Sequence, residues 1–254
     1  MFDTYANESR VTIELIEPHL HTTGRILEIG AGLCLTSLFL RQQGYNITAL
    51  EPAMGGFDLF AQIKEAILIH FKTIDLPVLN KSAQQLNIAT DGTFHLIFSN
   101  NVIEHIPQWP EAFDAMTTVM TADGKMLHAC PNYSVPYEPH YGIPVFRHFQ
   151  KISKRLFLRS DCDDGIWNSL NFITCHAIKQ HCRKRGLSFQ FERSLLYKAL
   201  KRVKEDPLFA SRHQGIVANI ACFIMRTWLA TLIKHIPPAF ATPMIVEIHK
   251  RKQS

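Results

Sequence analysis

The chain has 254 residues, of which 46% are hydrophobic and 19% are charged. This composition is typical of a folded globular protein, so it excludes a disordered, collagen-like or coiled-coil chain. The 27 Lys and Arg residues outnumber the 22 Asp and Glu residues and give a formal net charge of +5, which is too small to indicate a dedicated nucleic-acid-binding protein. The length is compatible with one large domain.

The cysteines and the apolar segments bear on the compartment. The six cysteines form no CxxC pair, so neither a disulfide scaffold nor a closed zinc site is expected. The N-terminal residues lack the pattern of a secretory signal. The most apolar stretch, residues 216–233, is interrupted by Asn219 and Arg226, and a charge near the centre of a bilayer costs about 3 kcal/mol. We therefore expect a cytoplasmic protein in which this stretch is a buried or interfacial helix.

Short apolar runs alternate with amphipathic segments from residue 25 to residue 130. The runs predict buried strands at residues 25–30, 46–50, 77–80, 94–99 and 125–129. Segments of helical periodicity lie between them, most clearly at residues 110–120. Parallel strands need crossover connections, so this alternation predicts a doubly wound α/β sheet with helices on both faces.

The pattern changes after Cys130. Residues 131–144 contain four prolines and three tyrosines, which exclude a helix or a central strand and predict a long ordered loop. The segments predicted beyond it are a basic stretch at 147–159, a helix at 174–185, a strand at 187–191, helices near 194–205 and 215–235, and a strand at 244–249. We expect the last two strands to complete a mostly parallel, seven-stranded sheet in a single domain.

The turns after the first two strands carry a candidate ligand site, because ligands of open α/β sheets bind beyond the carboxyl ends of the strands. Gly30 and Gly32 allow the backbone after Glu28 to pass close to a ligand. Leu35 stands where the dinucleotide fingerprint has its third glycine, which disfavours a nicotinamide-dependent oxidoreductase. Glu51 lies 23 residues after Glu28, the spacing at which a carboxylate can accept both hydroxyls of a ribose. Taken singly, these features also fit an ordinary turn and a solvated glutamate.

Five segments of the chain are informative in combination. They are Gly-Arg-Ile-Leu-Glu-Ile-Gly-Ala-Gly at 24–32, Thr-Ala-Leu-Glu-Pro at 48–52, Phe-His-Leu-Ile-Phe-Ser-Asn-Asn-Val-Ile-Glu-His-Ile-Pro at 94–107, Asp-Gly-Lys at 123–125 and Cys-Pro-Asn at 130–132. In order and spacing they resemble the class I S-adenosylmethionine-dependent methyltransferases, most closely the branch that includes the ubiquinone-pathway O-methyltransferases. The resemblance implies a Rossmann-like fold, S-adenosylmethionine as cofactor, and methyl transfer to oxygen of a small-molecule or lipid-like acceptor. It divides the domain into a core at 24–132, an acceptor-side loop and helices at about 133–242, and a last strand at 243–249.

The resemblance also assigns the cofactor residues of the first two strand ends. It implies that Glu28, Gly30 and Gly32 form the turn around the amino-acid end of the cofactor, with Glu28 orienting that turn. Glu51 is expected to hold the ribose hydroxyls.

Two further pairs of residues follow from the resemblance. Ser82 and Ala83 stand where many members of the family place an acidic and then a small residue at the adenine, so backbone groups have to serve there. Ser99 and Asn100 are expected to line the methionine end of the cofactor, near the transferable methyl group.

Some relatives bind a divalent metal ion through Glu-x-x-Glu-His at the end of the fourth strand. This chain reads Asn101-Val-Ile-Glu104-His105, in which a neutral amide replaces one carboxylate and weakens a site for a hard cation such as Mg²⁺. We therefore expect no metal ion. We expect Glu104 and His105 to open the following helix, where an acidic side chain favours the positive end of the helix dipole.

A hydroxyl acceptor must also lose a proton, and histidine is the usual base near neutral pH. The candidate catalytic residues are His105, His140 and Tyr141, with His148 as a further histidine nearby. His140 and Tyr141 belong to the predicted loop after the fifth strand, which can close over an acceptor. The alternative is an aromatic loop that packs only for its own stability.

The basic residues at 151–159, together with the apolar segment that ends at 234–235, motivate a hypothesis of peripheral contact with a membrane and a lipid-linked or quinone-like acceptor. An RNA methyltransferase is one alternative, but it needs aromatic and basic residues interleaved on one face, and here they are scattered. We expect no nucleic-acid partner. A non-catalytic binding relative of the same fold is the other alternative, and the intact Glu28, Gly30, Gly32 and Glu51 argue against it. The sequence does not indicate an oligomeric state.

Overall fold

The computed structural model describes residues 2–52, 58–158, 165–195, 197–198, 200–201 and 223–251. Within these residues the strands are β1 (Arg25–Ile29), β2 (Asn46–Leu50), β3 (Val78–Leu79), β4 (Phe94–Asn100), β5 (Met120–Cys130), β6 (Tyr137–Glu138), β7 (Ile143–Pro144), β8 (Leu187–Phe191) and β9 (Met244–Lys250). Seven of them form one sheet in the order β3-β2-β1-β4-β5-β9-β8, and β6 pairs with β7 in a separate hairpin. Strands β1 to β5 run parallel, whereas β9 runs antiparallel to β5 and β8. The predicted doubly wound, mostly parallel seven-stranded sheet is confirmed.

The fifth strand differs from its prediction, because β5 begins at Met120 rather than at residue 125. Its pairing with β4 shifts register, so that Met120 lies opposite Phe94 while Lys125 lies opposite Leu96. The Asp123-Gly124 pair, which precedes the predicted strand, therefore lies at a bulge inside β5.

The helices of the described residues are α1 (Phe2–Ile16), α2 (Leu35–Gln42), α3 (Asp58–His70), α4 (Ile88–Asp91), α5 (Trp109–Val119), α6 (Gln150–Phe157), α7 (Gly165–Ser169), α8 (Cys175–Lys184) and α9 (Leu229–Ile233). Helix α8 begins where Thr174 caps it, since the Thr174 hydroxyl accepts the N–H of Ala177. Helix α1 was not predicted. Much of the predicted helices near 194–205 and 215–235 lies outside the described residues. No helix in the described part of the chain combines the length and the apolar character that crossing a membrane requires.

Helices cover both faces of the sheet, which explains why its central strands are apolar runs rather than alternating patterns. On one face, Ile97 of β4 packs in a cluster with Phe113 of α5 and Ile178 of α8. On the other face, Phe98 of β4 packs in a cluster that includes Ile16 of α1. The carboxyl ends of the parallel strands are thereby fixed between two layers of helix.

The proline- and tyrosine-rich segment after β5 is an ordered loop, as predicted, and it contains the β6–β7 hairpin. A small hydrophobic cluster holds this loop against a later part of the chain. In it Tyr133 and Val145 pack with Trp167 and Phe172. Asn132 anchors the start of the loop, because its buried amide donates to the carbonyl oxygen of Ala241 at 3.0 Å. The loop is therefore held beside the strand ends rather than free in solvent.

Candidate functional site

A cavity of about 200 Å³ lies at the carboxyl ends of β1 and β4. These two strands are neighbours at the point where the strand order reverses, the position at which open α/β sheets bind their ligands. The turn after β1 contributes Gly30 and Gly32, and β4 contributes Asn100. Helix α1 forms the remaining wall with Tyr5, Glu8, Ser9 and Thr12.

Glycine is required at the turn after β1 for two reasons. Gly30 and Gly32 have φ values of +67° and +55°, a region that side chains disfavour. A Cβ atom on Gly30 would in addition lie 2.5 and 2.6 Å from the two methyl groups of Val102. The turn is fixed to the next strand, because the N–H groups of Gly30 and Ala31 both donate to the carbonyl oxygen of Leu50.

Glu51 is joined directly to this turn. Its Oε2 accepts the backbone N–H of Gly32 at 2.7 Å. Burial raises the pKa of Glu51, while the bond from Gly32 and the charge of Lys64 partly oppose that rise. This bond holds Glu51, which comes from the end of a different strand, against the turn that lines the cavity; Glu51 itself is not among the lining residues.

Glu28 lies beneath the turn and is buried. The hydroxyl of Ser37 in α2 donates to its Oε2 at 2.5 Å. Burial raises the pKa of Glu28 to about 7, and the nearby charge of Glu51 adds to the rise, against the lowering by Ser37. The bond to Ser37 couples the end of β1 to the helix that follows the turn.

The structure separates the two residues predicted at the end of β4. Asn100 lines the cavity, and its Nδ2 donates to Oγ1 of Thr12 in α1 at 2.9 Å. Ser99 is only 1% exposed and its hydroxyl bonds to Nδ1 of His128 at 2.8 Å. Successive side chains of a strand point to opposite faces, so Ser99 faces the buried side and does not line the cavity.

The predicted adenine residues also lie away from this cavity lining. Ser82 caps the short 3₁₀ helix Ala83–Gln85, with its backbone N–H donating to the side chain of Gln85. Ala83 is buried in the main hydrophobic core. Both positions follow β3, two strands away from the cavity between β1 and β4.

A second group of side chains lies at the end of β4 and in the loop after β5. The imidazole rings of His105 and His140 have their centroids 5.3 Å apart. His140 Nδ1 bonds to Oε1 of Glu138 at 2.5 Å, and the other oxygen of Glu138 accepts the backbone N–H of Tyr141 at 2.8 Å. The structure thus brings His105 and His140 together. The Tyr141 hydroxyl instead accepts the backbone N–H of Trp167 at 3.2 Å.

Glu104 lies between the two histidines and is fully buried. The expectation that it opens the following helix was wrong, because it lies in the three-residue 3₁₀ helix Ile103–His105 and α5 begins only at Trp109. In the part of the chain that the structure describes, neither of its carboxylate oxygens has a hydrogen-bond partner. Burial raises the pKa of Glu104 to about 7.

The pKa values of His105 and His140 are shifted in opposite directions. Burial and the neighbouring His140 lower the pKa of His105 to about 4. Burial also acts to lower the pKa of His140, but the hydrogen bond and the charge of Glu138 outweigh it, so the pKa of His140 is raised. Glu8, which lines the cavity, is close enough for its charge to act on both Glu104 and His140. The cavity is therefore adjacent to the group formed by Glu104, His105 and His140.

Several of these residues were missed in the sequence. Helix α1 places Tyr5, Ser9 and Thr12 at intervals of three and four, a spacing that could have indicated one helical face. No local signal could have shown that this face covers the cavity. Glu138 was missed because its pairing with His140 depends on the β6–β7 hairpin, whose strands are two residues each.

The comparisons with known proteins agree with this geometry. The model of the methyltransferase domain family matches residues 5–190. The uncharacterized proteins Rv1509 and MT1557, from two strains of Mycobacterium tuberculosis, are each 32% identical over 236 residues, which cover 89% of this chain and 78% of theirs.

Solved structures share the fold at low identity. Phosphoethanolamine N-methyltransferase 2 of Haemonchus contortus aligns over 98% of this chain with 12% identity and a TM-score of 0.55, and this chain spans about half of it, 53%. The [4+2]-cyclase SpnF aligns over 96% of this chain and 82% of its own, with 14% identity and a TM-score of 0.54. The YcgJ protein of Bacillus subtilis aligns over 97% of this chain and all of its own, with 12% identity and a TM-score of 0.55.

Proposed function

We propose that this chain, which belongs to the methyltransferase domain family, transfers a methyl group from S-adenosylmethionine to an acceptor. The proposed acceptor is a small molecule or a lipid-like molecule, and the proposed site of methylation is an oxygen atom. The observation that carries the proposal is the hydrogen bond that ties Glu51 to Gly32, in the glycine turn that lines the cavity. This arrangement offers a backbone-lined surface and a carboxylate at one place, which an adenosyl group with a charged amino-acid tail requires.

The residues present fit that cofactor. Gly30 and Gly32 keep side chains away from the wall of the cavity, and Glu51 uses one oxygen for Gly32. Within the described residues no hydrogen bond to Oε1 of Glu51 is found, so this oxygen is available to ribose hydroxyls. In this proposal Ser82 and Ala83 contact the cofactor only through backbone groups. Ser99 does not contact the cofactor and supports β4 through its bond to His128.

The cofactor supplies a methyl group on a sulfonium sulfur, and the neutral thioether that departs is an excellent leaving group. The protein therefore needs mainly to align the acceptor and exclude water. Asn100 and the face of α1 that carries Thr12 close one side of the cavity. We propose that His105 and His140 face the acceptor on the other side and assist the loss of its hydroxyl proton. Tyr141 contributes by holding Glu138, and through it His140, in position.

The surface next to this loop supports a lipid-like acceptor. In and beside α6, Phe149, Ile152 and Leu156 are 62%, 51% and 64% exposed, and their spacing places them on one helical face. Residues 139–160 contain five Lys and Arg residues and no Asp or Glu. Exposed apolar groups flanked by basic ones are typical of a helix that lies on an anionic membrane surface.

This membrane contact can be tested by sedimentation with vesicles at low salt. We expect the protein to pellet with phosphatidylglycerol vesicles and to remain in solution with phosphatidylcholine vesicles. Combined Phe149→Ser, Ile152→Ser and Leu156→Ser should abolish the pelleting, whereas Ile69→Ser, at a site 62% exposed on α3, should not. If equal amounts of protein pellet with both kinds of vesicle, the membrane part of the proposal is wrong.

Methyl transfer itself is tested with S-adenosylmethionine that carries a radioactive methyl group, incubated with phenolic small molecules and with extracted lipids in separate reactions. We expect label in one of these acceptor classes with the natural protein and none with Glu51→Ala. If the protein binds the cofactor but labels neither class, the non-catalytic alternative is favoured. Base treatment of the labelled product distinguishes methyl esters from other methylated oxygen atoms.

A further inference from the structure

Three potential metal ligands converge beside the cavity. Nε2 of His105 and Nε2 of His140 each lie 3.9 Å from Oε1 of Glu104. One donor atom from each of the three residues lies within 4.8 Å of the other two. Glu104 is fully buried, and within the described residues neither of its oxygens has a hydrogen-bond partner. A buried carboxylate without a partner is costly, so this group calls for a cation or a donor that the protein itself does not supply.

The other nitrogen of His105 shows which atom of the ring is free to bind. The hydroxyl of Ser169 donates its only hydrogen to the carbonyl oxygen of Ile166 at 2.7 Å. That hydroxyl must therefore accept, rather than donate, in its 2.7 Å bond with Nδ1 of His105. Nδ1 then carries the proton, and Nε2 presents a lone pair toward Glu104.

His140 is oriented in the same way. Its Nδ1 is 2.5 Å from Oε1 of Glu138, a carboxylate that also accepts the Tyr133 hydroxyl and the Tyr141 backbone N–H. A carboxylate can only accept, so Nδ1 of His140 donates and Nε2 is the free atom in the neutral ring. Metal-binding histidines usually have their second nitrogen fixed by a carboxylate or another oxygen in this manner.

We infer that Glu104, His105 and His140 form a binding site for a divalent transition-metal ion such as Zn²⁺, Mn²⁺ or Fe²⁺. Two imidazole nitrogens and one carboxylate oxygen suit these ions better than Mg²⁺, which prefers oxygen ligands. Metal–ligand distances of about 2.0–2.2 Å place neighbouring donor atoms roughly 3.0–3.5 Å apart. The side chains therefore need to move inward by less than about 1 Å, which their rotatable bonds allow.

This inference departs from the expectation of no metal ion, which considered only the contiguous Asn101-Val-Ile-Glu104-His105 segment. The third ligand comes from the loop after β5, 35 residues beyond His105. The side chains of His105 and His140 are 29% and 22% exposed, so an ion can enter and keep an open coordination position toward the acceptor side. Only the use of the ion rests on the proposed function: with their Nε2 atoms on the ion, His105 and His140 would assist proton loss through it, because an acceptor hydroxyl bound to a metal ion loses its proton more readily.

The test measures metal binding without cofactor or acceptor. Protein freed of metal by a chelator is titrated with Zn²⁺ by calorimetry and with Co²⁺ by its visible absorption, with Mg²⁺ as comparison. We expect one Zn²⁺ per chain, a Co²⁺ spectrum, and no detectable binding of Mg²⁺. Glu104→Gln and His140→Ala should each weaken Zn²⁺ binding by at least about 100-fold, and Glu138→Gln by about 10–100-fold.

His148→Ala is the matched control, because His148 is an exposed histidine close by in the chain, and it should bind Zn²⁺ like the natural protein. Circular dichroism establishes that each variant is folded. Equal Zn²⁺ affinity of the natural protein, Glu104→Gln and His140→Ala would overturn the inference. That result would leave the proposed methyl transfer intact, since cofactor binding and labelling are measured separately.

Discussion

The backbone N–H of Gly32 lies 2.7 Å from Oε2 of Glu51, although the two residues follow different strands. This bond fixes the position of the carboxylate relative to the glycine turn. We predict that Glu51→Gln weakens S-adenosylmethionine binding by about 10- to 100-fold, because hydrogen bonds to a charged group contribute about 1.5–3 kcal/mol. Calorimetric titration measures the change. Glu65→Gln, on α3, is the control and should bind normally; an unchanged affinity of Glu51→Gln would show that the carboxylate does not contact the ligand.

The second prediction concerns the close approach of Gly30 to Val102. Gly30→Ala should lower the free energy of unfolding by clearly more than Gly44→Ala, and it should abolish cofactor binding. Both glycines have positive φ, so each alanine costs about 1 kcal/mol of backbone strain. Only at Gly30 does the new Cβ meet side-chain atoms, at 2.5 Å from Val102, whereas nothing lies within 4 Å at Gly44.

Urea unfolding of both glycine variants gives the comparison. Adding Val102→Ala to Gly30→Ala should recover part of the lost stability, because it removes the methyl groups in question. Equal losses for Gly30→Ala and Gly44→Ala would mean that the contact with Val102 relaxes without cost.

The third prediction is a pH dependence that arises from Glu28. Burial raises its pKa from 4.5 to about 7 in the folded protein. Between these values the unfolded chain has released the proton while the folded protein retains it, so Glu28 lowers stability as the pH rises through this window. The full effect is on the order of 3 kcal/mol, since one pKa unit corresponds to about 1.4 kcal/mol.

Glu28→Gln removes this dependence. In the absence of cofactor, the stability of Glu28→Gln relative to the natural protein should therefore be greater at pH 7.5 than at pH 4.5, and urea unfolding at both values measures it. Glu65→Gln should show no such difference between the two pH values. A constant offset between Glu28→Gln and the natural protein would contradict the assignment.

The fourth prediction concerns Asn132, which joins the start of the loop after β5 to two other segments. Its Nδ2 donates to Pro238 and Ala241 carbonyl oxygens, and its Oδ1 accepts the N–H groups of Ser134 and Cys175, all between 3.0 and 3.1 Å. Asn132→Ala leaves four groups without this partner, of which the Ala241 carbonyl and the Cys175 N–H are in buried bonds, and should cost about 3 kcal/mol or more. Thermal unfolding measures this loss.

Asn168→Ala is the matched change at the surface, where the amide accepts the Lys154 ammonium at 3.1 Å. It should alter the stability by less than about 0.5 kcal/mol. A loss for Asn132→Ala as small as that for Asn168→Ala would show that water replaces the missing amide.

The sheet was predictable from the sequence because its central strands are buried on both faces and therefore appear as uninterrupted apolar runs. Strand β2 has the predicted bounds for this reason. The start of β5 was not predictable, because a bulge depends on how the strand pairs with β4 rather than on the local residues. Helix α1 was missed because its face is mostly polar and its buried Ile16 lies at its end.

The sequence predicted only those residues of the candidate site that lie at the end of a strand or in the turn directly after it. Gly30, Gly32 and Asn100 follow strand ends, and the strand order brings them to one cavity. Ser99 was assigned to that cavity because strand alternation at the end of β4 places only one of the two residues there, and the sequence does not show which. The pairing of Glu104 with His140 depends on the folding of a loop that begins 27 residues after Glu104, and no local pattern encodes it.

Calorimetric titration with S-adenosylmethionine and with S-adenosylhomocysteine tests the central claim most directly, with NADH as the comparison ligand. The account predicts one site per chain for both sulfur compounds, no binding of NADH, and a loss of both sites in folded Glu51→Ala. A folded natural protein that binds neither sulfur compound, or that binds them equally well when Glu51 is replaced, would contradict it.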